Sequence, residues 1–253
     1  MKKILLLFLF SFLSATIVLS YAQKKLLVEI NSINTKEVIG FKYNSGNQLV
    51  YFDEKGIVTY TEYRLKYDKI NQLVECIINQ DRGELILSSK YSYGGEGSIL
   101  EEIRSSGKKI HIKTIDVNPI HVDIKGRLVK TTFDDGNLWE EFEYDNNNNL
   151  LKYKVHSASG SDDKVSEYKF DTSKSPFSNM IDFPVWFWAL HMNKVRWCSD
   201  FIGQNNAIEN MTDDPKYGLN TVEITYVYDE DGYPVKQYYN GDLVKEFKYK
   251  TVR

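Results

Sequence analysis

The chain has 253 residues, a formal net charge of -3, 18 Tyr and 13 Phe. That length suits one large domain, and the slightly acidic balance excludes a nucleic-acid partner, which needs a basic stripe. Two cysteines, Cys76 and Cys198, make no disulfide framework and no metal-ligand spacing.

Lys2 and Lys3 precede an apolar run over 4–19, and Ala22 closes it with a small residue. This reads as a signal peptide over 1–22 with the mature chain starting at Gln23, and the run is short for a membrane-spanning helix. No Cys stands at the end of the apolar run, where Ser20-Tyr21-Ala22-Gln23 follow, so no lipid anchor is expected. Export leaves two readings open for Cys76 and Cys198: a bridge, or two small buried hydrophobes.

From residue 23 onward a Tyr-x-Tyr-Asp-like phrase returns about every 25 residues, each time before a short polar turn. It reads Phe41-Lys42-Tyr43-Asn44, Leu65-Lys66-Tyr67-Asp68, Tyr91-Ser92-Tyr93-Gly94, Phe142-Glu143-Tyr144-Asp145, Tyr168-Lys169-Phe170-Asp171 and Tyr226-Val227-Tyr228-Asp229. Side chains alternate around these phrases, with Phe142 and Tyr144 against Glu141 and Glu143, and Leu65 and Tyr67 against Arg64 and Lys66. One dry and one wet face per strand is the antiparallel pattern. The parity slips near 60–63, which predicts a β-bulge there. Turns are expected at Gly56, Gly83, Gly107, Gly126, Gly136, Gly160 and Gly232, a two-residue hairpin at Asn240-Gly241, and a loose tip over 146–149.

The prediction is an all-β fold: a long antiparallel up-and-down meander of about 12–14 strands, closed or nearly closed into a barrel. The residues 23–253 form one domain. An insert over 172–220 interrupts the rhythm and carries Trp186, Phe187, Trp188 and Leu190. A helix over 184–197, capped by Asp182, is expected to pack on the dry face or plug the lumen.

Chemistry-bearing residues are sparse. The acidic groups Glu140, Glu141 and Glu143, Asp134 with Asp135, Asp162 with Asp163, and Asp213 with Asp214 fall at turns or on wet faces, where solvation is their ordinary role. His111 and His121 are placed on neighbouring strands without a third ligand, and His191 reads as a core histidine; His156 has no assigned role. Trp139, Tyr233 and Tyr239 are wet-side aromatics of the kind that stack on sugars. No phosphate loop, nucleophile elbow or zinc-protease helix occurs, so no catalytic, metal or cofactor residue is assigned.

The phrases Tyr67-Asp68-Lys69-Ile70-Asn71-Gln72-Leu73 and Tyr228-Asp229-Glu230-Asp231-Gly232-Tyr233-Pro234 resemble the YD repeats of Rhs-type secreted proteins. The plan over 26–250 looks like a family of exported bacterial proteins of unknown function with a porin-like fold. The stretches 133–138 and 239–243 also resemble variant MORN repeats. That family is often lipidated, and the required Cys is missing here. The resemblance brings no catalytic residue.

The expected function is a non-enzymatic exported protein of the periplasm or cell exterior, serving in surface binding or envelope structure, with a glycan or an envelope protein as partner. An integral outer-membrane barrel is the alternative, since an inside-out barrel alternates identically. The ending Lys250-Thr251-Val252-Arg253, without a terminal aromatic, speaks against it. A hydrolase with a site at the rim is the remaining alternative.

Overall fold

The computed structural model describes residues 24–252 apart from 109, 134–136, 158–162, 181 and 193–194. The expected signal peptide, and the turns at Gly136 and Gly160, lie outside the described residues.

The strands are β1 (Lys24–Ser32), β2 (Glu37–Tyr43), β3 (Leu49–Lys55), β4 (Tyr60–Tyr67), β5 (Leu73–Gln80) and β6 (Leu85–Tyr93). They continue as β7 (Ser98–Gly107), β8 (Ile110–Val122), β9 (Leu128–Phe133), β10 (Leu138–Tyr144), β11 (Leu150–Ser157) and β12 (Lys164–Phe170). The last are β13 (Ala207–Asp214), β14 (Gly218–Tyr228), β15 (Pro234–Tyr239) and β16 (Asp242–Val252). Each pairs antiparallel with its sequence neighbours, and β1 pairs with β16, closing the barrel. Among the described residues there are sixteen strands, not 12–14. The shortfall has a simple source: Ile120-His121-Val122-Asp123 keeps the turn-forming Asp but carries Val where the phrase has Tyr, so one hairpin is silent in an aromatic count.

One turn geometry recurs along the rim that the Tyr-Asp phrases reach. The backbone N–H groups of Asn44, Asp68, Asp123, Asp145 and Asp229 donate to the carbonyls of Gln48, Gln72, Arg127, Asn149 and Tyr233. In each case the Asx Oδ1 accepts the N–H groups two and four residues on. The fourth turn residue is left-handed: Asn47, Asn71, Gly126, Asn148 and Gly232 have φ of 63°, 63°, 73°, 65° and 82°. Only Gly, Asn and Asp tolerate that region cheaply. A register shift precedes each turn, at Tyr43, Tyr67, Val122, Tyr144 and Tyr228. The run 146–149 is therefore a tight turn rather than a loose tip. The expected slip near Tyr60–Tyr63 is not there, since β3 and β4 pair in register from Tyr51↔Arg64 to Lys55↔Tyr60. Tyr60 points outward, donating to Glu62 at 2.8 Å, while Tyr63 points in; a Tyr does not by itself mark the dry face.

The phrase tyrosines also fasten the rim. Tyr43, Tyr67 and Tyr93 donate their hydroxyls to the carbonyls of Leu27, Leu49 and Leu73 at 2.7, 2.6 and 2.8 Å. Tyr226 and Tyr249 reach Ala207 and Pro234 at 2.8 Å. Each ring packs inward while its hydroxyl satisfies a carbonyl on an adjoining hairpin. At the opposite rim Asn240 and Gly241 have φ of 49° and 91°, the two-residue hairpin that Asn-Gly favours.

The insert leaves the phrase rim between β12 and β13. Asp171 repeats the turn chemistry across it: its N–H donates to Asn206 O at 3.0 Å, and its Oδ1 accepts from the N–H groups of Ser173 and Asn206. The insert thus ends at Asn206, not at 220, because β13 and β14 are paired wall strands. β13 was hidden because its inward residues are polar, with Thr212 Oγ1 3.0 Å from Ser166 Oγ. The expected helix is also two pieces: α1 (Val185–His191) and a 3-10 helix (Arg196–Phe201). Pro184 is the N-cap, with no side-chain cap bond. Asp182 instead has φ of 54° and accepts from Asn71 Nδ2 at 3.3 Å. Val195 N–H meets His191 O at 2.7 Å and Cys198 N–H meets Val195 O at 3.1 Å, so the chain tightens and turns Trp197 toward the wall.

Candidate functional site

The mouth at the phrase rim is filled from within. Trp186, Phe187, Trp188, Leu190, Trp197, Cys198 and Phe201 are buried in a core continuous with the inward residues of the wall. Trp188 packs on Phe177 at 4.8 Å, on Trp197 at 5.4 Å and on Phe52 of β3 at 5.3 Å. Trp186 meets Tyr91 of β6 at 4.9 Å and Phe201 meets Phe247 of β16 at 5.4 Å. Aromatic contacts thus reach well-separated parts of the wall. A helix apolar nearly all round has to be enclosed in this way.

Below the aromatic layer the lumen holds charge. Asp200, 2 % exposed, accepts from Gln237 Nε2 at 2.8 Å and from the Tyr239 hydroxyl. Lys245 Nζ lies 3.3 Å from Asp200 and donates to Gln237 Oε1 at 2.8 Å and to Tyr239 at 3.2 Å. Tyr226 accepts from Gln237 at 3.1 Å. This network ties the insert to β14, β15 and β16. A buried ion pair is tolerable where its remaining bonding capacity is met, as here.

A second carboxyl sits against the insert at β3. Glu54 accepts from Trp197 Nε1 at 2.7 Å and from the Tyr63 hydroxyl at 3.3 Å. Burial pushes its pKa up to about 7, and the neighbouring Glu37 adds to the rise. Glu101 and Glu140 also face inward and are buried. Asn118 Nδ2 donates to Glu101 at 3.4 Å and the Tyr153 hydroxyl donates to Glu140 at 2.5 Å.

The sequence-level expectations for site residues need several corrections. Glu140 belongs to the lumen, not to a wet face; Glu141 and Glu143 do face out. Asp134, Asp135 and Asp162 lie outside the described residues, and Asp163 flanks His156. Asp213 and Asp214 pair with Leu219 and Gly218 at the end of the β13–β14 hairpin. His111 and His121 share β8, so at about 3.3 Å per residue they are roughly 33 Å apart and cannot share a metal. His191 is buried, 3.5 Å from the Tyr91 hydroxyl. Among the described residues no group of three or more ligating side chains could hold a metal ion. Cys76 and Cys198 form no disulfide and both are buried; burial pushes the Cys198 thiol well up.

Of the aromatics expected on the wet side, Tyr233 is 1 % exposed and Tyr239 turns its hydroxyl into the lumen network. Trp139 does lie outside, but His156 stacks on it at 4.9 Å and Lys130 approaches its ring at 6.0 Å. His156 is itself held between Glu141 at 3.2 Å and Asp163 at 3.0 Å.

The outer wall is laced with cross-strand ion pairs. Lys169 meets Glu209 at 2.8 Å, Lys154 meets Glu143 at 3.1 Å, Lys248 meets Glu29 at 2.7 Å and Lys66 meets Glu75 at 3.6 Å. Two grooves run over β11 to β14, of about 370 and 720 Å³, sharing Lys169 and Glu209. Leu151 and Ile208 are exposed in them. No described helix is long and apolar enough to cross a membrane, which leaves strand-based insertion open.

No family model matches the sequence, and no curated protein matches it. Solved structures do. A porin-like protein from Bacteroides uniformis matches with a TM-score of 0.50 at 12% identity, over 90% of this chain and 96% of that one. A porin-like protein from Bacteroides vulgatus matches with a TM-score of 0.43 at 11% identity, over 89% of this chain and 98% of that one. At such identity the likeness concerns the fold: a closed antiparallel barrel, similar to proteins called porin-like.

Proposed function

We propose that this protein is an exported, non-enzymatic barrel of the cell envelope that works through its outer surface and conducts nothing. The observation that carries this reading is the filled lumen: the insert and an apolar core occupy its mouth, the Asp200–Lys245 pair is enclosed beneath them, and the outer wall carries ion pairs between strands. A lipid-facing Lys or Arg near the bilayer midplane costs about 2–4 kcal/mol, so a wall with several resists insertion. The barrel stands in water, in the periplasm or outside the cell, associated with the envelope through a partner. The segment 1–22 acts as the export signal and is removed before Gln23.

The two confluent grooves over β11 to β14 suit an extended polymer such as a glycan or a segment of an envelope protein. They are shallow and mix ion pairs with exposed Leu151 and Ile208. The hydrolase reading is the weaker one: Glu54, the carboxyl held near neutrality, is walled in by Trp197 and Tyr63 and lines neither groove.

Expression of the full chain in a Gram-negative host tests this. The expected result is soluble periplasmic protein that begins at Gln23 and is retained by an envelope-polysaccharide or envelope-protein fraction, with retention weakened by Ile208→Glu. Material extractable with detergent alone, or turnover of a glycan abolished by Glu54→Gln, contradicts it.

A further inference from the structure

The outer ion-pair ladder is open at one position, inside the grooves over β11 to β14. Lys152 of β11 pairs with Glu167 of β12, Lys169 of β12 with Glu209 of β13, and Lys164 of β12 with Asp214 of β13. On β14 the next carboxylate is Glu223, directly opposite Glu209. Glu223 is exposed, and among the described residues no Lys or Arg pairs with it. Directly opposed residues of an antiparallel pair bring their Cβ atoms within about 5 Å, and like charges there are destabilising. Resting on the reading that these grooves hold an extended polymer, we propose that the polymer is a protein segment. It is an extended stretch that brings a Lys or Arg to Glu223 and carries an apolar side chain on the same face.

Charge, apolar exposure and ring placement select this class. Glu143, Glu167, Asp171, Glu209 and Glu223 line the two grooves against Lys152 and Lys169 alone. Lys154 meets Glu143 at 3.1 Å, and Asp171 is held by the N–H groups of Ser173 and Asn206. The surplus is therefore negative and falls at Glu223, so an anionic polymer is repelled and a cationic one drawn in. Around it Leu151, Ile208 and Val227 are exposed, and Val227 shares the outer face of β14 with Glu223 and Thr225. Side chains of a peptide can meet a carboxylate and an apolar surface together. Stacking on the apolar face of a sugar needs an exposed ring instead. Of the tyrosines at these grooves, Tyr168 is buried, Tyr226 packs against the core and Tyr228 is tied to Asp171.

The wall also sets the length and the mode of binding. Neighbouring strands lie about 4.8 Å apart, so β11 to β14 span about 14 Å, the reach of four to five extended residues. Each of these strands is already paired on both sides. The segment therefore cannot add a strand to the sheet, and its side chains carry the contact.

The test titrates the purified protein into an end-blocked, coumarin-labelled peptide, Lys-Ser-Val-Ser-Lys, read by fluorescence anisotropy at low ionic strength. Both Lys and the Val share one face when the peptide is extended. Saturable binding is expected, about tenfold tighter than for Glu-Ser-Val-Ser-Glu and lost at high salt. Glu223→Gln should weaken it about threefold and Glu223→Lys about tenfold. Glu96→Lys makes the same charge change at a distant exposed turn and should alter binding less than about twofold. Glu223 is exposed, so these variants keep the fold. No saturable binding of the Lys peptide, equal binding of the Glu peptide, or an equal loss in Glu223→Lys and Glu96→Lys overturns the proposal. Binding of a chito-oligosaccharide that Ile208→Glu weakens also overturns it, while the groove reading then stands with a glycan as its polymer. Absence of any retention on envelope fractions overturns both.

Discussion

Glu54→Gln isolates one carboxyl whose environment is set by the insert. In the folded protein burial raises the Glu54 pKa from 4.5 to about 7. A raised carboxyl binds a proton in the native state that the unfolded chain has already lost. Between about pH 4.5 and 7 the native state therefore holds more protons, and stability falls as pH rises. The shift is about 2.5 units, so the loss approaches 3 kcal/mol at pH 8 and is absent below about pH 4.5. Gln keeps a carbonyl for the Trp197 N–H and carries no charge at any pH. Urea titrations at pH 4.5, 6, 7 and 8 should give wild type and variant similar stability at the acid end and a variant about 3 kcal/mol more stable at pH 8. Carboxylates held low by hydrogen bonds or burial-compensating partners, such as Glu62 beside Tyr60, lose their contribution as pH falls, but they do so equally in both proteins. Parallel pH profiles for wild type and variant would refute the burial of Glu54 beneath the insert.

Four further outcomes rest on named contacts. Trp188→Ala should cost about 3–5 kcal/mol in a denaturant titration, as for other buried aromatics; a cost below about 0.5 kcal/mol would mean that the insert is not seated in the barrel. Lys245→Met should cost about 3–5 kcal/mol by leaving Asp200 buried without its cation, and adding Asp200→Asn should recover most of it; a small loss in the single variant would show the network open to water. Tyr67→Phe should cost about 1 kcal/mol through its bond to Leu49 O. Tyr144→Phe should be neutral or stabilising in thermal unfolding, because its hydroxyl is buried without a partner.

Much of the barrel was legible because one local rule repeats. The Asx residue, the left-handed Asn or Gly and the rim Tyr recur together, and each specifies its turn independently of distant packing. Legibility failed where inward residues are polar. β13 presents Asn210 and Thr212 to the lumen, and Glu101, Asn118, Thr131 and Glu140 are buried, so alternation there gives no dry face. The insert was recognisable from its aromatics, but its break after His191 depends on Trp197 finding Glu54 on β3, 143 residues away. Tyr233 and Tyr239 look like surface aromatics in sequence and are drawn inward by Asn179 and Asp200.

Conductance across a planar bilayer tests the central claim most directly. The purified protein, added without detergent to a bilayer under an applied voltage, should leave the baseline current unchanged, because the plugged lumen offers no aqueous path and the charged wall resists lipid. Stepwise, ohmic channel openings would show that the insert leaves the lumen or that the wall enters the bilayer, and would contradict the account.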